Sequence, residues 1–134
     1  MSQRNVDAVR ACLDAWNRRD VDAWLKDAHA DIEWVSAVTQ SMEGTDRVYR
    51  GMGEMRGFWH EWHSVWDMAI HIEELRDLGD TVLAEGRLGV RGDASGIGLE
   101  QPIAYVFEFE DGLARRVHSY FDPQQAREAA EQIP

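Results

Sequence analysis

Apolar residues recur along the first part of the chain with the period of a helix. Val6, Val9, Leu13 and Trp16 fall at i, i+3, i+7 and i+10, an apolar stripe that predicts an amphipathic helix with one buried face. The polar stretch NRRD interrupts it. Asp20 then stands as N-cap to a second helix carrying Val21, Trp24, Leu25 and Ala28. In DIEWVS (31–36) the period changes to two, with Ile32, Trp34 and Ser36 on one face of a short strand. A polar loop is expected around QSMEGTD. From Glu54 onward the helical period returns and sets Met55, Trp59, Trp62 and Trp66 in one stripe, widened by Phe58 and Val65. His63 lies at the edge of that stripe, and His60 points towards water.

After Trp66 the pattern is that of strands. MAIHIEEL, TVLAEGRLGV, QPIAYVFEFE and LARRVHSYF are separated by RDLGD, RGDASGIG and EDG, whose Gly and Asp residues are hairpin chemistry. Asp122 as N-cap and Pro123 at the first helical position predict a short C-terminal helix. No repeat, linker or low-complexity stretch divides the chain. The prediction is therefore one α+β domain over residues 1–134. Its three N-terminal helices cover a curved sheet of four to six strands, mixed or antiparallel, to make a cone-shaped barrel. Such a sheet bent around helices leaves a funnel that aromatic side chains line or fill.

Composition narrows the function more than the fold. A hydrophobic fraction of 44% and six tryptophans argue against disorder, despite a net charge of −11. That charge disfavours nucleic acid as a partner, since phosphate binding needs a basic face. Nothing approaches a membrane-spanning run, and no signal-peptide pattern opens the chain. The lone Cys12 rules out an intramolecular disulfide and suits a reducing compartment. A cytoplasmic location is expected.

The sharpest local signal is FWHEWHSVW (58–66), which packs three tryptophans and two histidines into nine positions. His60 and His63 are i and i+3, but HEWH is one residue short of the HExxH zinc pattern, so no metal is expected. GMGEMRG has neither a preceding apolar strand nor a nearby lysine, and reads as the turn into the helix, not a phosphate loop. Tyr105 shares an alternating face with Phe107 and Phe109. Its phenol is placed either to donate to a ligand carbonyl or to satisfy a buried backbone group.

Five stretches, AWNRRDVDAW, HADIEW, YRG, LRDLGDTVLAEGR and EDGLARRVHSYFDPQQAREAA, together resemble the nuclear transport factor 2-like superfamily in its SnoaL-like branch. The resemblance covers nearly the whole chain and implies the cone. It also implies cofactor-free chemistry, if there is any: cyclisation, isomerisation, hydration or epoxide opening. The catalytic positions of known relatives do not carry their acids here. Where ketosteroid isomerases place the general base, this chain has Ser36. Their tyrosine falls on Cys12, and their second acid on Ala104 or Tyr105. The acid–base positions of limonene epoxide hydrolases fall on Gly86, Leu88 and Ser119, and their water-holding pair on Trp34 and Ser36. A register slip would bring Arg87 inward in place of Gly86. Polyketide cyclases of this branch imply a cavity acid with a nearby histidine, for which Asp122 and His63 are the candidates beside Tyr105.

The resulting pocket is Trp16, Trp34, Ser36, Met55, Trp59, Trp62, Tyr105, Phe107, Val117, Ser119 and Phe121. Ser36, Tyr105 and Ser119 are its polar contacts for a small, largely apolar molecule. Arg116, His118 and Tyr120 then face the convex side, where the resemblance implies a homodimer. The rival expectation is a non-enzymatic dimeric module whose funnel is simply filled.

Overall fold

A computed structural model describes residues 2–44, 47–92 and 98–133. In chain order it contains α1 (Ser2–Arg18), α2 (Val21–Trp24), β1 (Ala28–Val35), α3 (Ala37–Glu43), β2 (Val48–Arg50) and α4 (Gly51–Val65). Then follow β3 (Trp66–Asp77), β4 (Thr81–Gly92), β5 (Gly98–Glu110), β6 (Leu113–Tyr120) and α5 (Pro123–Glu131). The six strands form one curved, unclosed sheet in the order β2-β1-β6-β5-β4-β3. Strands β3 to β6 are the expected meander. β1 joins its end parallel to β6, and β2 pairs antiparallel with β1.

Curvature has a local cause. The β3–β4 register shifts between Ile72 and Glu74, and the β5–β6 register between Glu108 and Phe109. Bulges of this kind bend a strand and sharpen its twist. Opposite the first of them sits Gly86, where a Cβ would lie 2.0 Å from the carbonyl oxygen of His71. Only glycine allows β3 and β4 to approach so closely there. Helices α1, α2 and α4 pack into the concave face, which carries the aromatic core. On the other face α5 covers a small cluster of Leu83, Ala104 and Val106 through Ala126 and Ala130.

Several element boundaries differ from expectation. The second helix ends at Trp24, with Leu25 as its C-cap, and Ala28, expected on that helix, instead opens β1 three residues ahead of the expected strand. The polar loop around QSMEGTD is largely helix: α3 starts at the Ser36 cap, whose side chain accepts from Thr39 N, and ends at Gly44 in the left-handed region at φ 75°. There are thus four helices before the meander, not three. Its seven residues bury only Ala37 and Thr39, too few to make an apolar stripe. The helix of the tryptophan run begins at Gly51, ahead of Glu54, and ends at Val65. Glu54 accepts a hydrogen bond from Arg50 N at 2.9 Å and so ties down that start. Trp66 opens β3 instead of closing the helical stripe; a residue four beyond Trp62 and two before Met68 fits both periods. Val65, expected to widen the stripe, is exposed. Residues 93–97 of RGDASGIG lie outside the described residues.

Two side chains of α1 fasten it to the sheet edge. Trp16 Nε1 donates to Met68 O at 3.1 Å. Asn17 both donates to Ile70 O and accepts from Ile70 N, each at 2.7 Å, as a neighbouring strand would.

Candidate functional site

Aromatic rings from five elements meet inside the cone. Trp16 of α1 lies 5.6 Å from Trp24 of α2, and Trp24 lies 5.3 Å from Trp34 of β1. Phe58 of α4 is within 6.1 Å of both Trp24 and Trp34, and Tyr105 of β5 reaches Trp34 at 6.2 Å. The geometries are mostly tilted or edge-on, as ring quadrupoles favour. The helical stripe and the strand alternation read from the sequence are what bring these rings together.

Between them is an inner cavity of about 30 Å³, room for about two water molecules. Of the residues named from the sequence, Trp16, Trp34, Ser36, Trp62, Tyr105 and Ser119 border it. Trp24, Phe58, Ile70 and Ile103 border it too and were not anticipated; strand alternation through Ile70 and Ile103 was the available signal for two of them. Met55 and Phe107 line a smaller hollow of about 10 Å³ beside it, from which Trp24 and Trp34 form the partition. Phe121 lies instead in an outer cleft of about 180 Å³ between α3 and the strand ends. This cleft shares Val38, Met68 and Leu88 with the inner cavity. Trp59 and Val117 border none of the three. Trp59 is packed against Trp16 at 5.1 Å and Trp24 at 5.1 Å, and Val117 is fully buried on β6.

Hydrogen bonding at the inner cavity is lopsided. Ser36 Oγ accepts from Thr39 N at 3.4 Å, and Ser119 Oγ accepts from Ala37 N at 2.8 Å, so both serines hold the start of α3. Trp24 Nε1 and Trp62 Nε1 are buried with no acceptor among the described residues. Burial, and after it the nearby Cys12, pushes the Tyr105 phenol well above its ordinary value, so it stays protonated and able to donate. Among the described residues Tyr105 is the only titratable side chain lining this cavity. Cys12 borders the smaller hollow with Asp27; burial first, then Asp27, pushes its thiol up to about 12. The thiol form is therefore favoured at neutral pH.

The two proton-carrier candidates stand apart from the cavity. Asp122 is exposed and caps α5, accepting from Gln124 N at 2.9 Å. His63 is clamped between Trp16 and Trp59 at ring distances of 4.2 and 4.1 Å. Both its ring nitrogens are buried without a partner among the described residues. Burial, then Arg19, lowers its pKa from 6.5 to about 4, against a small opposing pull from Asp67. His60 is exposed, so the pair does not converge. Among the described residues no three His, Cys, Asp or Glu side chains are grouped to hold a metal ion.

The strand registers resolve the positions left open by the family resemblance. Ala104 faces α5 and Tyr105 faces the cavity. Arg87 is on the outer face, paired with Glu100, while Gly86 and Leu88 are the buried neighbours. On β6, Val117 and Ser119 are buried, with Arg116 exposed and His118 and Tyr120 half-buried. No described helix is long and apolar enough to cross a membrane.

Known proteins agree with this architecture. An NTF2-like protein of unknown function from Burkholderia pseudomallei superposes with a TM-score of 0.79 at 23% identity, over 91% of this chain and 93% of its own. TerC, co-crystallised with polyporic acid, gives 0.78 at 24% identity over 96% and 99%. A candidate polyketide cyclase from Xanthomonas campestris gives 0.75 at 23% over 92% and 94%. At such identities the likeness is one of fold. No functionally curated protein sequence matches the chain. The model of the SnoaL-like domain matches residues 9–117, most of the sequence, and the chain belongs to the SnoaL-like domain family.

Proposed function

We propose that this protein binds a small, largely apolar organic molecule in the aromatic cavity, reached through the cleft beside α3. The observation that carries the reading is the bordering of one cavity by Ser36, Tyr105 and Ser119 together with a wall of indoles, beside a cleft with which it shares Val38, Met68 and Leu88. Concave, mostly apolar sites with few polar groups are what small-molecule sites look like. A neighbour in fold lends support, since TerC was crystallised with polyporic acid. If catalysis occurs, Tyr105 is placed to polarise a bound oxygen as a hydrogen-bond donor. Among the described residues the cavity offers it no carboxylate or imidazole as partner, so acid–base chemistry of the isomerase or hydrolase kind is disfavoured.

One observation favours a second reading. The inner cavity holds only about 30 Å³, well below the roughly 300 Å³ at which drug-sized sites begin. A funnel filled by its own tryptophans suits a non-enzymatic interaction module, homodimeric through the convex sheet face. Titration of tryptophan fluorescence with terpenes, steroids, aromatic polyketides and small epoxides separates the two. Binding predicts saturable quenching that weakens in Trp62→Phe and persists in Trp59→Phe. A flat response to every compound, in protein shown to be folded, supports the filled module.

A further inference from the structure

Resting on that binding function, we infer the chemical class of the ligand: a neutral molecule of one or two rings carrying a carbonyl-type oxygen. The oxygen enters the inner cavity, and the apolar body stays in the outer cleft.

The donors carry the argument. Trp62 and Trp24 are 6% and 3% exposed, both border the inner cavity, and neither indole N–H has an acceptor among the described residues. A buried donor left unmade is costly, and structures rarely keep two at one place without a use for them. Tyr105 adds a third N–H or O–H donor, held protonated by its surroundings. The oxygens of Ser36 and Ser119 already accept backbone N–H groups, so each has its O–H left to give. The cavity is thus richer in free donors than in free acceptors, which are the Tyr105 oxygen and the second lone pairs of the two serines.

Matching that pattern limits the ligand. A carbonyl oxygen has two lone pairs and brings no hydrogen of its own, so it accepts from donors of the lining and demands no acceptor. A hydroxyl group accepts as well, but it brings a further donor to a lining that already has more donors than free acceptors. A carboxylate would enter a space with no Arg, Lys or His among the described residues of its lining, in a chain of net charge −11, and buried unpaired charge is disfavoured. Size follows from the two volumes. The inner cavity of about 30 Å³ admits a slim polar end, and the cleft of about 180 Å³ takes a compact ring system. Met68, Val38 and Leu88 line both spaces, so a ligand that reaches from one into the other passes between these apolar side chains.

The test uses three probes of one shape: 2-acetylnaphthalene, its acceptor-free planar isostere 2-isopropenylnaphthalene, and the anion 2-naphthoate. Calorimetry gives the three affinities, and the infrared carbonyl stretch of the bound ketone reports hydrogen bonding directly. The ketone should bind about tenfold more tightly than the hydrocarbon, in line with a hydrogen bond made or lost at a buried donor, and naphthoate more weakly than the ketone. Its carbonyl stretch should move to lower frequency than in hydrocarbon solvent. Trp62→Phe should cut the ketone preference to about threefold or less, and leave the hydrocarbon affinity nearly unchanged. Trp24→Phe provides a second variant should the first fold poorly. Equal binding of ketone and hydrocarbon, an unshifted stretch, or naphthoate binding best would each overturn the ligand class and leave the binding site standing. Failure of all three probes, with a response to other compounds in the fluorescence titration, also overturns the class alone. Failure of every compound in both experiments removes the binding function itself.

Discussion

Replacing His63 by phenylalanine should stabilise this protein, and by more in acid than at neutral pH. Its imidazole lies between the Trp16 and Trp59 rings, with Nδ1 and Nε2 both buried and unpartnered among the described residues. A buried donor or acceptor without a partner costs about 1–3 kcal/mol. Phenylalanine keeps a flat ring between two indoles and removes both polar atoms, so a gain of about 1–2 kcal/mol is expected at pH 7. The pH dependence follows from the lowered pKa of about 4 against 6.5 for the free group. Between these values the unfolded chain binds a proton at His63 that the native state does not, so wild-type stability falls as pH falls through this window. Each tenfold difference in proton affinity between the two states is worth about 1.4 kcal/mol. The ring is half-buried and near Arg19 and Asp67, so solvent screening reduces the whole effect to about 1–2 kcal/mol. Urea unfolding of both proteins at pH 7.0 and 4.5 gives the difference directly, because the other histidines and the carboxylates are common to both. The advantage of the variant should grow by about 1–2 kcal/mol on acidification. A shrinking advantage would refute the reasoning and mean that the two indole faces hold the imidazolium instead.

Three further substitutions probe the frame around the cavity. Gly86→Ala drives a Cβ into the His71 carbonyl at 2.0 Å. It should cost about 2–3 kcal/mol in chemical denaturation; an unchanged midpoint would show that β3 moves away freely. Ser119→Ala leaves the Ala37 N–H without its acceptor. A loss of about 1–3 kcal/mol is expected, with faster amide hydrogen exchange at Ala37 and Val38, and unaltered exchange there would mean that Ser119 does not anchor α3. Asn17→Ala removes both hydrogen bonds to Ile70, for about 1–2 kcal/mol. Loss of exchange protection at Ile70 should accompany it, and protection retained would assign that amide to another acceptor.

The sequence made most of this frame legible because its long elements are strictly periodic. The stripe from Val6 to Trp16 and the alternation through Tyr105, Phe107 and Phe109 are buried as their spacing requires. α3 escaped notice because a seven-residue helix with two buried positions has no period to detect; only its caps, Ser36 and Gly44, marked it. Within the site, alternation placed Tyr105 and Ser119 at the cavity. It had no means of separating Trp62, which borders the space, from Trp59, which packs behind it. That distinction depends on how α4 is rotated against α1 and α2, a tertiary quantity. Partnerless nitrogens were likewise invisible, since a donor is orphaned only when the whole surroundings are fixed.

The grip of α1 on β3 has a consequence beyond attachment. An open sheet has two edges, and each exposes backbone that a strand from another molecule can pair with. On one side, the outward groups of Met68 and Ile70 are already occupied by Trp16 and Asn17, and the rest of that strand carries Glu73, Glu74, Arg76 and Asp77. On the other side the edge is β2, three residues long and ending in Arg50. Neither border offers a long, bare, uncharged template. Among the described residues both edges thus carry features that disfavour edge-to-edge pairing with a strand of another molecule.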